Sequence, residues 1–555
     1  MAVSNEAIAE SFSMLSKLMD IHGENPFKIK SYAAASFSID KLTEELSSIP
    51  REKIISIKGI GPSIGKQIIE ILDTGELPQL HEIIGKTPSG VIEMLRIKGL
   101  GPKKISTVWK EMEIESIGEL MYACDENRLM LYKGFGEKTQ HNIRETISFY
   151  LRSQGSFLFA EVEGYVLSIN KKLKEAFPGE LISVTGGFRR HLEIIDQVEW
   201  ITNISIEDLT RFFTSQNHIA EPTSQNTLQI TGGEQIKLSF EIVTAASFHQ
   251  RLFETSCSPE FLEKWLSDFK SSDTAVSEEM IFEQAGIHII PPPLREDPRV
   301  IERAKLSPLP DIIRFSDIKG IIHSHSNWSD GLNTVEEMAK ACIEQGFEYL
   351  VISDHSKSAF YANGLSEERI REQHLYVDEL NKKLAPFHIF KSIECDILND
   401  GRLDYSDQIL STFDLVITSV HSNLKMSSEK AMSRLLTAVQ NPYTRILGHP
   451  TGRLLLSRAG YPVDHTVLID ACANFGVVIE LNAHPRRLDM DWRWIDYAIQ
   501  KNVLISIDPD AHSIVGYHDI HYGVLAAQKG GVTAAHNLSS FSLAEMKQFI
   551  KLRKG

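Results

Sequence analysis

The sequence predicts a multidomain α/β protein: an all-helical N-terminal region, then an α+β region, then a C-terminal parallel α/β barrel. Three observations support this fold class. Residues 1–150 carry apolar residues at three- and four-residue spacing without strand-like alternation. Residues from about 155 to 290 mix helical stretches with strand-like runs, as in α+β domains. Beyond residue 318, short apolar runs alternate with helical stretches, which is typical of a parallel α/β fold.

The length of 555 residues is too great for one compact domain and leads us to expect three to five folding units. Prolines cluster at 291–293 and recur at 298, 308 and 310. Because proline removes a backbone donor and disfavours helix in the preceding residue, we expect residues 289–313 to form an extended connector. The predicted segments are a helical region at 1–150, an α+β region at 151–290, a Pro-rich linker at 291–317 and the barrel at 318–555.

Composition limits the classes of partner. The formal net charge is −16, from 58 basic and 74 acidic residues, which argues against a general nucleic-acid coat protein. The five cysteines form no C-x-x-C pair, so a zinc ribbon and a disulfide framework are excluded and a reducing compartment fits. No stretch reaches the ~20 apolar residues of a membrane span. We therefore expect a cytoplasmic protein without a membrane partner.

Residues 1–150 contain three copies of one layout, a short helix, a Gly-x-Gly turn and a second helix, spaced by about 40 residues. Glycine lets the backbone approach a ligand, and the free N–H groups at the start of the following helix can bind a phosphate of DNA. Lysines flank the turns and add sequence-independent attraction. The predicted DNA-binding residues are Gly59, Gly61, Gly99, Gly101, Gly134, Gly136, Lys103 and Lys104.

Seven short apolar runs lie beyond residue 318, and each is followed by histidine or a carboxylate. In a parallel barrel the carboxyl ends of all strands open on one rim, so these side chains should converge. Imidazole and carboxylate without thiolate suit Zn²⁺, Mn²⁺ or Fe²⁺, and adjacent ions can supply a hydroxide for in-line displacement at phosphorus. The convergent residues are His323, His325, Asp330, His355, Glu394, His421, His449, Asp510 and His512; His484 is interpreted as structural.

Three basic residues lie in the same predicted loops: Lys357, Arg453 and Arg487. A phosphate needs positive partners beyond the metals, so these side chains are candidates for binding its non-bridging oxygens. Solvated surface charge is the alternative interpretation.

Several of these segments resemble the polymerase-and-histidinol-phosphatase (PHP) domain, in the form fused to bacterial family X DNA polymerases. The matching motifs are His323-Ser324-His325, Ser353-Asp354-His355-Ser356-Lys357, Glu394-Cys395-Asp396, Ser419-Val420-His421-Ser422, Gly448-His449-Pro450 and Asp510-Ala511-His512. The resemblance implies a (β/α)₇ barrel that holds three divalent metal ions. It also implies a Mn²⁺-dependent 3′–5′ exonuclease, sometimes with abasic-site endonuclease activity.

The resemblance also implies how the ligands are shared, because all nine residues of the family's trinuclear site have counterparts. The first ion would be held by His323, His325, Glu394 and Asp510, the second by Glu394, His421 and His449, and the third by Asp330, His355 and His512. A hydroxide supplied by the metals would attack phosphorus while Glu394 and Asp510 hold the ions in place.

The N-terminal repeats resemble the helix-hairpin-helix motifs of DNA-repair proteins. The segment from Asn25 to Tyr32 is also similar to the opening of the family X lyase-like domain. In members with deoxyribose-phosphate lyase activity, a lysine after the first hairpin forms a Schiff base, and Gln67 occupies that position here. An amide cannot form this imine, so we predict no such lyase activity.

Residues 155–300 continue the resemblance to family X in a nucleotidyltransferase-like palm and thumb, where 186–190 look like the nucleotide-binding turn. Polymerization requires three carboxylates that hold two Mg²⁺ ions. The corresponding positions are Gln197, Glu199 and Ser239, so two of three ligands are missing and Mg²⁺ is not expected here. A site rebuilt from Glu199 and Glu241 stays open as an alternative.

Together these patterns predict a monomeric, nucleoid-associated family X homologue that acts in DNA repair. It would bind gapped, nicked or 3′-ended DNA through its hairpins and hydrolyse phosphodiester bonds as a 3′–5′ exonuclease, with polymerase activity lost. The alternatives are an active template-directed polymerase with proofreading, a non-catalytic DNA-binding scaffold, and a small-molecule phosphatase of the histidinol-phosphatase type.

Overall fold

The computed structural model describes residues 3–42, 44–57, 60–152, 155–231, 236–270 and 275–552. Two compact units are present: Met1–Asp125 with Tyr132–Tyr150, and Glu126–Leu131 with Leu151–Gly555. In the described ranges no helix is long and apolar enough to cross a membrane.

The first unit is helical throughout its described residues, as predicted. Helix α1 shows how local chemistry sets the ends of an element: the Ser4 hydroxyl accepts a hydrogen bond from the Ala7 N–H, and Gly23 ends the helix at φ 77°. The buried face of α1 packs against α2. The helices are α1 (Asn5–His22), α2 (Pro26–Asp40), α3 (Arg51–Ile54), α4 (Pro62–Thr74), α5 (Pro78–Gly85), α6 (Ser89–Glu93), α7 (Pro102–Lys110), α8 (Ile117–Asp125) and α9 (Glu137–Arg152).

The second unit begins with an α+β part built on a five-stranded sheet in the order β2-β4-β7-β6-β5. The central strands β4 and β7 are parallel, and the other pairs are antiparallel. The rings of Trp200 and Phe240 stack in its core with centroids 4.9 Å apart. The elements are β1 (Phe157–Leu158), α10 (Phe159–Ala176), β2 (Ile182–Thr185), α11 (Gly186–Arg189), β3 (Ile194–Ile195), β4 (Gln197–Thr202), α12 (Ile206–Thr214), β5 (Ile219–Ser224), β6 (Thr227–Thr231), β7 (Lys237–Ile242), α13 (Phe248–Thr255), α14 (Pro259–Asp268) and α15 (Glu278–Ala285).

The Pro-rich segment differs from the prediction, because a helix, α16 (Arg299–Leu306), lies within it. Pro298 directly precedes the helix, where its missing N–H has no intrahelical partner to lose. Val300, Ile301 and Ala304 are buried in one cluster with residues of α14 and α15. The expectation of an extended connector is therefore wrong for residues 299–306, because a buried apolar stripe outweighs the surrounding prolines.

The C-terminal part is a parallel sheet of seven strands arranged in chain order from β8 to β14, as predicted. Beyond the first and last strands the His325 N–H donates to the carbonyl of Ala511 over 2.8 Å, so the barrel is nearly closed. The elements are β8 (Gly320–Ile321), α17 (Val335–Glu344), β9 (Tyr349–Ile352), α18 (Glu367–Lys383), β10 (His388–Asp396), α19 (Asp407–Leu410), β11 (Leu415–Ser419), α20 (Ser428–Val439), β12 (Thr444–Leu447), α21 (His465–Phe475), β13 (Val478–Asn482), α22 (Ile495–Gln500), β14 (Ile505–Asp508), α23 (Ile520–Lys529) and α24 (Leu543–Lys551).

Candidate metal centre

The nine predicted ligands lie at the carboxyl ends of the barrel strands, where the parallel topology brings them together. In the set assigned to the first ion, His323 Nε2 lies 3.3 Å from Glu394 Oε1 and 3.4 Å from Asp510 Oδ1. His325 Nε2 lies 3.1 Å from the same Asp510 oxygen. All four side chains are buried, so their potential ligand atoms form one enclosed cluster.

The second set shares Glu394 with the first. His421 Nε2 and His449 Nε2 lie 3.1 Å and 2.9 Å from Glu394 Oε1. His355 Nδ1 approaches the other oxygen of Glu394 at 3.0 Å. Glu394 is therefore central to the cluster, with histidines against both carboxylate oxygens.

The third set surrounds Asp330, whose Oδ2 lies 3.4 Å from His355 Nε2 and 3.5 Å from His512 Nε2. His325 Nδ1 lies 3.8 Å from Asp330 Oδ1. Potential ligand atoms of His325, Asp330, His355 and His512 all lie within 4.8 Å of one another. His325 therefore faces two of the three sets, one with each ring nitrogen.

The donor set fits divalent cations. Across the described residues, the buried side-chain atoms without a hydrogen-bond partner include His323 Nε2, Asp330 Oδ2, Glu394 Oε2 and His512 Nε2. A buried polar atom without a partner is costly, and divalent ions bound in the separate ligand sets would give these atoms partners. Imidazole nitrogens with carboxylate oxygens and no thiolate suit Mn²⁺, Zn²⁺ or Fe²⁺.

The electrostatics of the cluster prepare several groups to bind a cation. Burial alone would raise the pKa of Glu394, but the neighbouring histidines, first His421 and His323, hold it well below its usual range. Burial and then the charge of His512 lower the pKa of His325 to about 4, and burial and then Arg487 lower that of His449 to about 3. Neutral imidazoles and an ionised carboxylate are the forms that bind metal. His421 and His512 differ, because burial is outweighed by the charges of Glu394 and of Asp330, which raise the pKa of each imidazole to about 9, so a cation that binds them must displace a proton from each.

Sequence reasoning missed the residues that hold these ligands in orientation. A carboxylate oxygen of Glu480 lies 2.5 Å from His323 Nδ1, and one of Asp396 lies 2.5 Å from His421 Nδ1. Asn482 donates from Nδ2 to Asp510 Oδ2 over 3.0 Å. Such partners fix the ring orientation of metal ligands. The sequence did contain a signal for these partners. Glu394 and Asp396 in β10, and Glu480 and Asn482 in β13, are polar residues two positions apart, and side chains two apart in a strand share one face.

The three predicted phosphate-binding residues differ in their surroundings. Arg487 is buried, with Nε 4.0 Å from Asp510 Oδ2, and Lys357 is nearly half exposed, with Nζ 3.8 Å from a Glu367 oxygen. The Arg453 guanidinium donates to the carbonyl of Arg487 over 3.0 Å, to the carbonyl of Leu488 and to the carboxylate of Asp491. These three bonds, with Glu193 3.9 Å from Nη2, hold the Arg453 guanidinium among protein acceptors.

The glycine turns of the helical unit have the form that the motif requires. Gly99 and Gly134 have φ of 90° and 96°, a backbone conformation that residues other than glycine rarely adopt. Gly61 and Gly101 directly precede α4 and α7, and Gly136 directly precedes α9. Lys103 is exposed, and the Lys104 ammonium lies 3.4 Å from the Gly99 carbonyl. Lys58 and Gly59 lie outside the described residues.

The lyase position is occupied by a polar side chain within a hydrogen-bond network. Gln67 donates from Nε2 to the Tyr32 hydroxyl over 3.0 Å and to Gln79 Oε1 over 3.1 Å. Gln67 therefore belongs to an amide–hydroxyl network with Tyr32 and Gln79, and the absence of lyase chemistry stays a prediction.

The three positions aligned with polymerase carboxylates lie on the adjoining parallel strands β4 and β7. Glu199 lies opposite Ser239, and Gln197 donates from Nε2 to Glu199 Oε1 over 3.1 Å. The Glu199 carboxylate packs against Gly186 so closely that a Cβ there would clash. Glu241 is paired with Arg251, whose Nε lies 2.6 Å from Glu241 Oε1. The two remaining acids therefore face separate partners.

Comparison with known proteins agrees with this organisation. A family model described as a helix-hairpin-helix domain matches residues 3–77, and a SAM-like helix-hairpin-helix tandem matches residues 91–148. The PHP domain matches residues 322–484. The fold and the buried site thus define a helix-hairpin-helix protein with a PHP domain.

A curated relative also matches nearly the whole length of this chain. It is 31% identical over 559 residues to the DNA polymerase/3′-5′ exonuclease PolX of Bacillus subtilis (strain 168), covering 96% of this chain and 97% of the relative. The chain belongs to this PolX family. It is also 24% identical over 247 residues to a probable phosphatase of Thermoanaerobacter sp. (strain X514), covering 42% of this chain and 94% of that relative.

Proposed function

We propose that the PHP domain of this chain hydrolyses DNA phosphodiester bonds as a 3′–5′ exonuclease and that the polymerase activity is lost. The observation that carries the proposal is the cluster of potential ligand atoms at the rim of the barrel: eight of the nine predicted ligands fall in three overlapping groups, and the ninth, His449, lies 2.9 Å from Glu394 Oε1. The PolX relative is named as an exonuclease, and the helix-hairpin-helix turns favour DNA over a small metabolite as substrate.

The residues of the site would have different roles in this reaction. Divalent ions bound by the nine ligands would supply Lewis-acid stabilisation of an in-line displacement at phosphorus. Glu394 and Asp510 fix the positions of the imidazoles around them, and Glu480 orients His323. The buried guanidinium of Arg487, near Asp510, places positive charge where a phosphate would gain negative charge.

Three features of the palm support the loss of polymerase activity. Serine and glutamine stand at two of the three positions that require a carboxylate, and Glu199 packs against the Gly186 backbone. Arg189, in the turn that resembles a nucleotide-binding turn, donates to Glu278 and to the Ser256 hydroxyl over 2.8 Å. The Glu278 carboxylate is therefore bound to the Arg189 guanidinium, which would otherwise be available to the phosphates of a nucleotide.

One assay tests the proposal: an end-labelled primer–template is incubated with Mn²⁺, with and without deoxynucleotides. We expect primer shortening in both reactions, because hydrolysis needs no nucleotide. His323→Ala and Asp510→Ala should abolish shortening, whereas His288→Ala, which changes an exposed histidine, should not. Lengthening that requires nucleotides would contradict the loss of polymerase activity. An unchanged primer in both reactions would contradict the exonuclease.

A further inference from the structure

The rim of the metal centre presents an exposed aromatic ring. Phe360 is 82% exposed and opens the 3₁₀ turn Phe360–Ala362, five residues after the ligand His355. The next residue, Tyr361, is only partly exposed. Burial, together with the charge of Asp396, raises the pKa of Tyr361 well above its usual value. The turn therefore runs from the metal ligands to solvent within a few residues.

The backbone around Phe360 is held in place by hydrogen bonds. The Ala359 N–H donates to the carbonyl of Ser356 over 3.0 Å, and the Leu365 N–H donates to the carbonyl of His355 over 2.9 Å. Asn363 donates from Nδ2 to the carbonyl of Trp328 over 3.2 Å, which joins this turn to the loop that carries Asp330. Phe360 is therefore presented by a hydrogen-bonded turn that is joined to the backbone of His355 and to the loop that carries Asp330.

Positive charge flanks this turn within the same compact unit. The Arg128 guanidinium, in the 3₁₀ turn Arg128–Leu131, lies over the Tyr361 ring, 4.7 Å from its centroid. Lys357 precedes Phe360 by three residues and is nearly half exposed. Each cation also has a carboxylate nearby, Glu126 at 3.6 Å from Arg128 and Glu367 at 3.8 Å from Lys357. The surface thus combines an exposed ring with two cations that a phosphate could reach in exchange for these partners, the pairing that single-stranded nucleic acids favour.

We propose that Phe360 stacks on an unpaired base at the 3′ end of single-stranded DNA and so positions the terminal phosphodiester bond at the metal centre. This inference rests on the proposed function and names the form of its substrate. Stacking tolerates all four bases because every base has a π-face, which suits an enzyme that removes nucleotides without regard to sequence. The occupant is therefore a nucleobase, while the phosphates meet Lys357 and Arg128.

The test compares two oligonucleotides that differ only at the 3′ terminus, one ending in a normal nucleotide and the other in an abasic tetrahydrofuran nucleotide. The wild-type protein with Mn²⁺ should cleave the base-bearing end with the higher kcat/KM. Phe360→Ala should reduce that preference by about tenfold through a raised KM, and Phe360→Trp should retain it. Phe475→Ala is the matched control, because Phe475 is partly exposed but ends α21 at the opposite end of the barrel.

A second readout needs no cleavage. An oligonucleotide with a 3′-terminal 2-aminopurine is mixed with the protein in EDTA, and its fluorescence should differ between the wild-type protein and Phe360→Ala. If Phe360→Ala keeps both the preference for the base-bearing end and the fluorescence of the wild-type complex, the inference is overturned. It is also overturned if the substitution changes the oligomeric state and leaves the preference and the fluorescence unchanged. If the wild-type protein cleaves neither oligonucleotide, the proposed function itself fails, and that result is distinct from a loss of preference.

Discussion

At the scale of single residues, the site depends on side chains that touch no substrate. Glu480 is fully buried in β13 and contacts His323 Nδ1, while its other oxygen accepts from the backbone N–H of His449 over 3.1 Å. One carboxylate thus connects ligands from the first and second metal sets. Burying a carboxylate such as Glu480 is unfavourable unless the carboxylate has hydrogen-bond or charge partners, and both of its partners here, His323 and His449, belong to the candidate site.

Replacing Glu480 by glutamine should weaken metal binding without removing a ligand. The amide keeps the shape of the side chain but loses the charge that orients His323, so we expect the Mn²⁺ affinity to fall by about 10- to 100-fold. Two midpoints are measured: the Mn²⁺ concentration that gives half of the maximal increase in Tm, and the Mn²⁺ concentration that gives half of the maximal rate of primer shortening. Excess Mn²⁺ should restore the rate.

Glu429→Gln provides the control, because Glu429 is an exposed carboxylate in the first turn of α20. Its Mn²⁺ dependence should equal that of the wild-type protein. An unaltered Mn²⁺ dependence in Glu480→Gln would show that the contact with His323 has no influence on the metals.

At the scale of elements, the glycine turns show which parts of a motif are required by backbone geometry. Gly99 has φ 90°, whereas Gly101 has φ −78° and directly precedes α7. A Cβ placed on either residue meets nothing within 4 Å. Backbone conformation alone therefore distinguishes two glycines of the same turn.

Gly99→Ala should destabilise the helical unit by about 1–2 kcal/mol, because alanine is strained at positive φ. Gly101→Ala should leave the free energy of unfolding nearly unchanged, since its conformation is open to any residue. Urea unfolding followed by circular dichroism of the full chain measures both. Equal losses in the two variants would refute the assignment of strain to Gly99.

Much of the fold, and the convergence of the candidate ligands at one rim, was predictable, because both depend on local period and on one topological rule. The runs that end before His323, His421 and Asp510 are short and apolar, and parallel strands bring their carboxyl ends together. Helix α16 was missed because prolines dominate its surroundings, although Val300 and Ile301 carry its buried stripe.

Other parts of the site depend on contacts that no local pattern reveals. Arg453 shares a loop position with other basic residues, but its acceptors are the backbone carbonyls at 487 and 488 and the Asp491 carboxylate. The two-residue spacing of Glu480 and Asn482 places both on one face of β13, but the ligands that they contact, His323 and Asp510, come from other strands and are set by the closure of the barrel. Such roles follow from tertiary geometry rather than from sequence period.

At the scale of the whole molecule, the net charge of −16 is compatible with a DNA substrate because part of the acid is enclosed. Asp330, Glu394, Glu480, Asp508 and Asp510 are all buried around the metal centre. Bound cations would offset this charge, and the lysines near the glycine turns act locally. The same enclosure predicts that metal is part of the folded site and that its removal lowers Tm as well as activity.

The most direct measurement is a titration of the EDTA-treated protein with Mn²⁺, in which bound metal per chain, Tm and primer shortening are followed together. We predict that shortening is absent without metal, that it develops as the three ligand groups fill, and that Tm rises in parallel. His323→Ala should bind less metal and remain inactive. Full shortening activity in the metal-free protein would contradict a metal-dependent nuclease at this site.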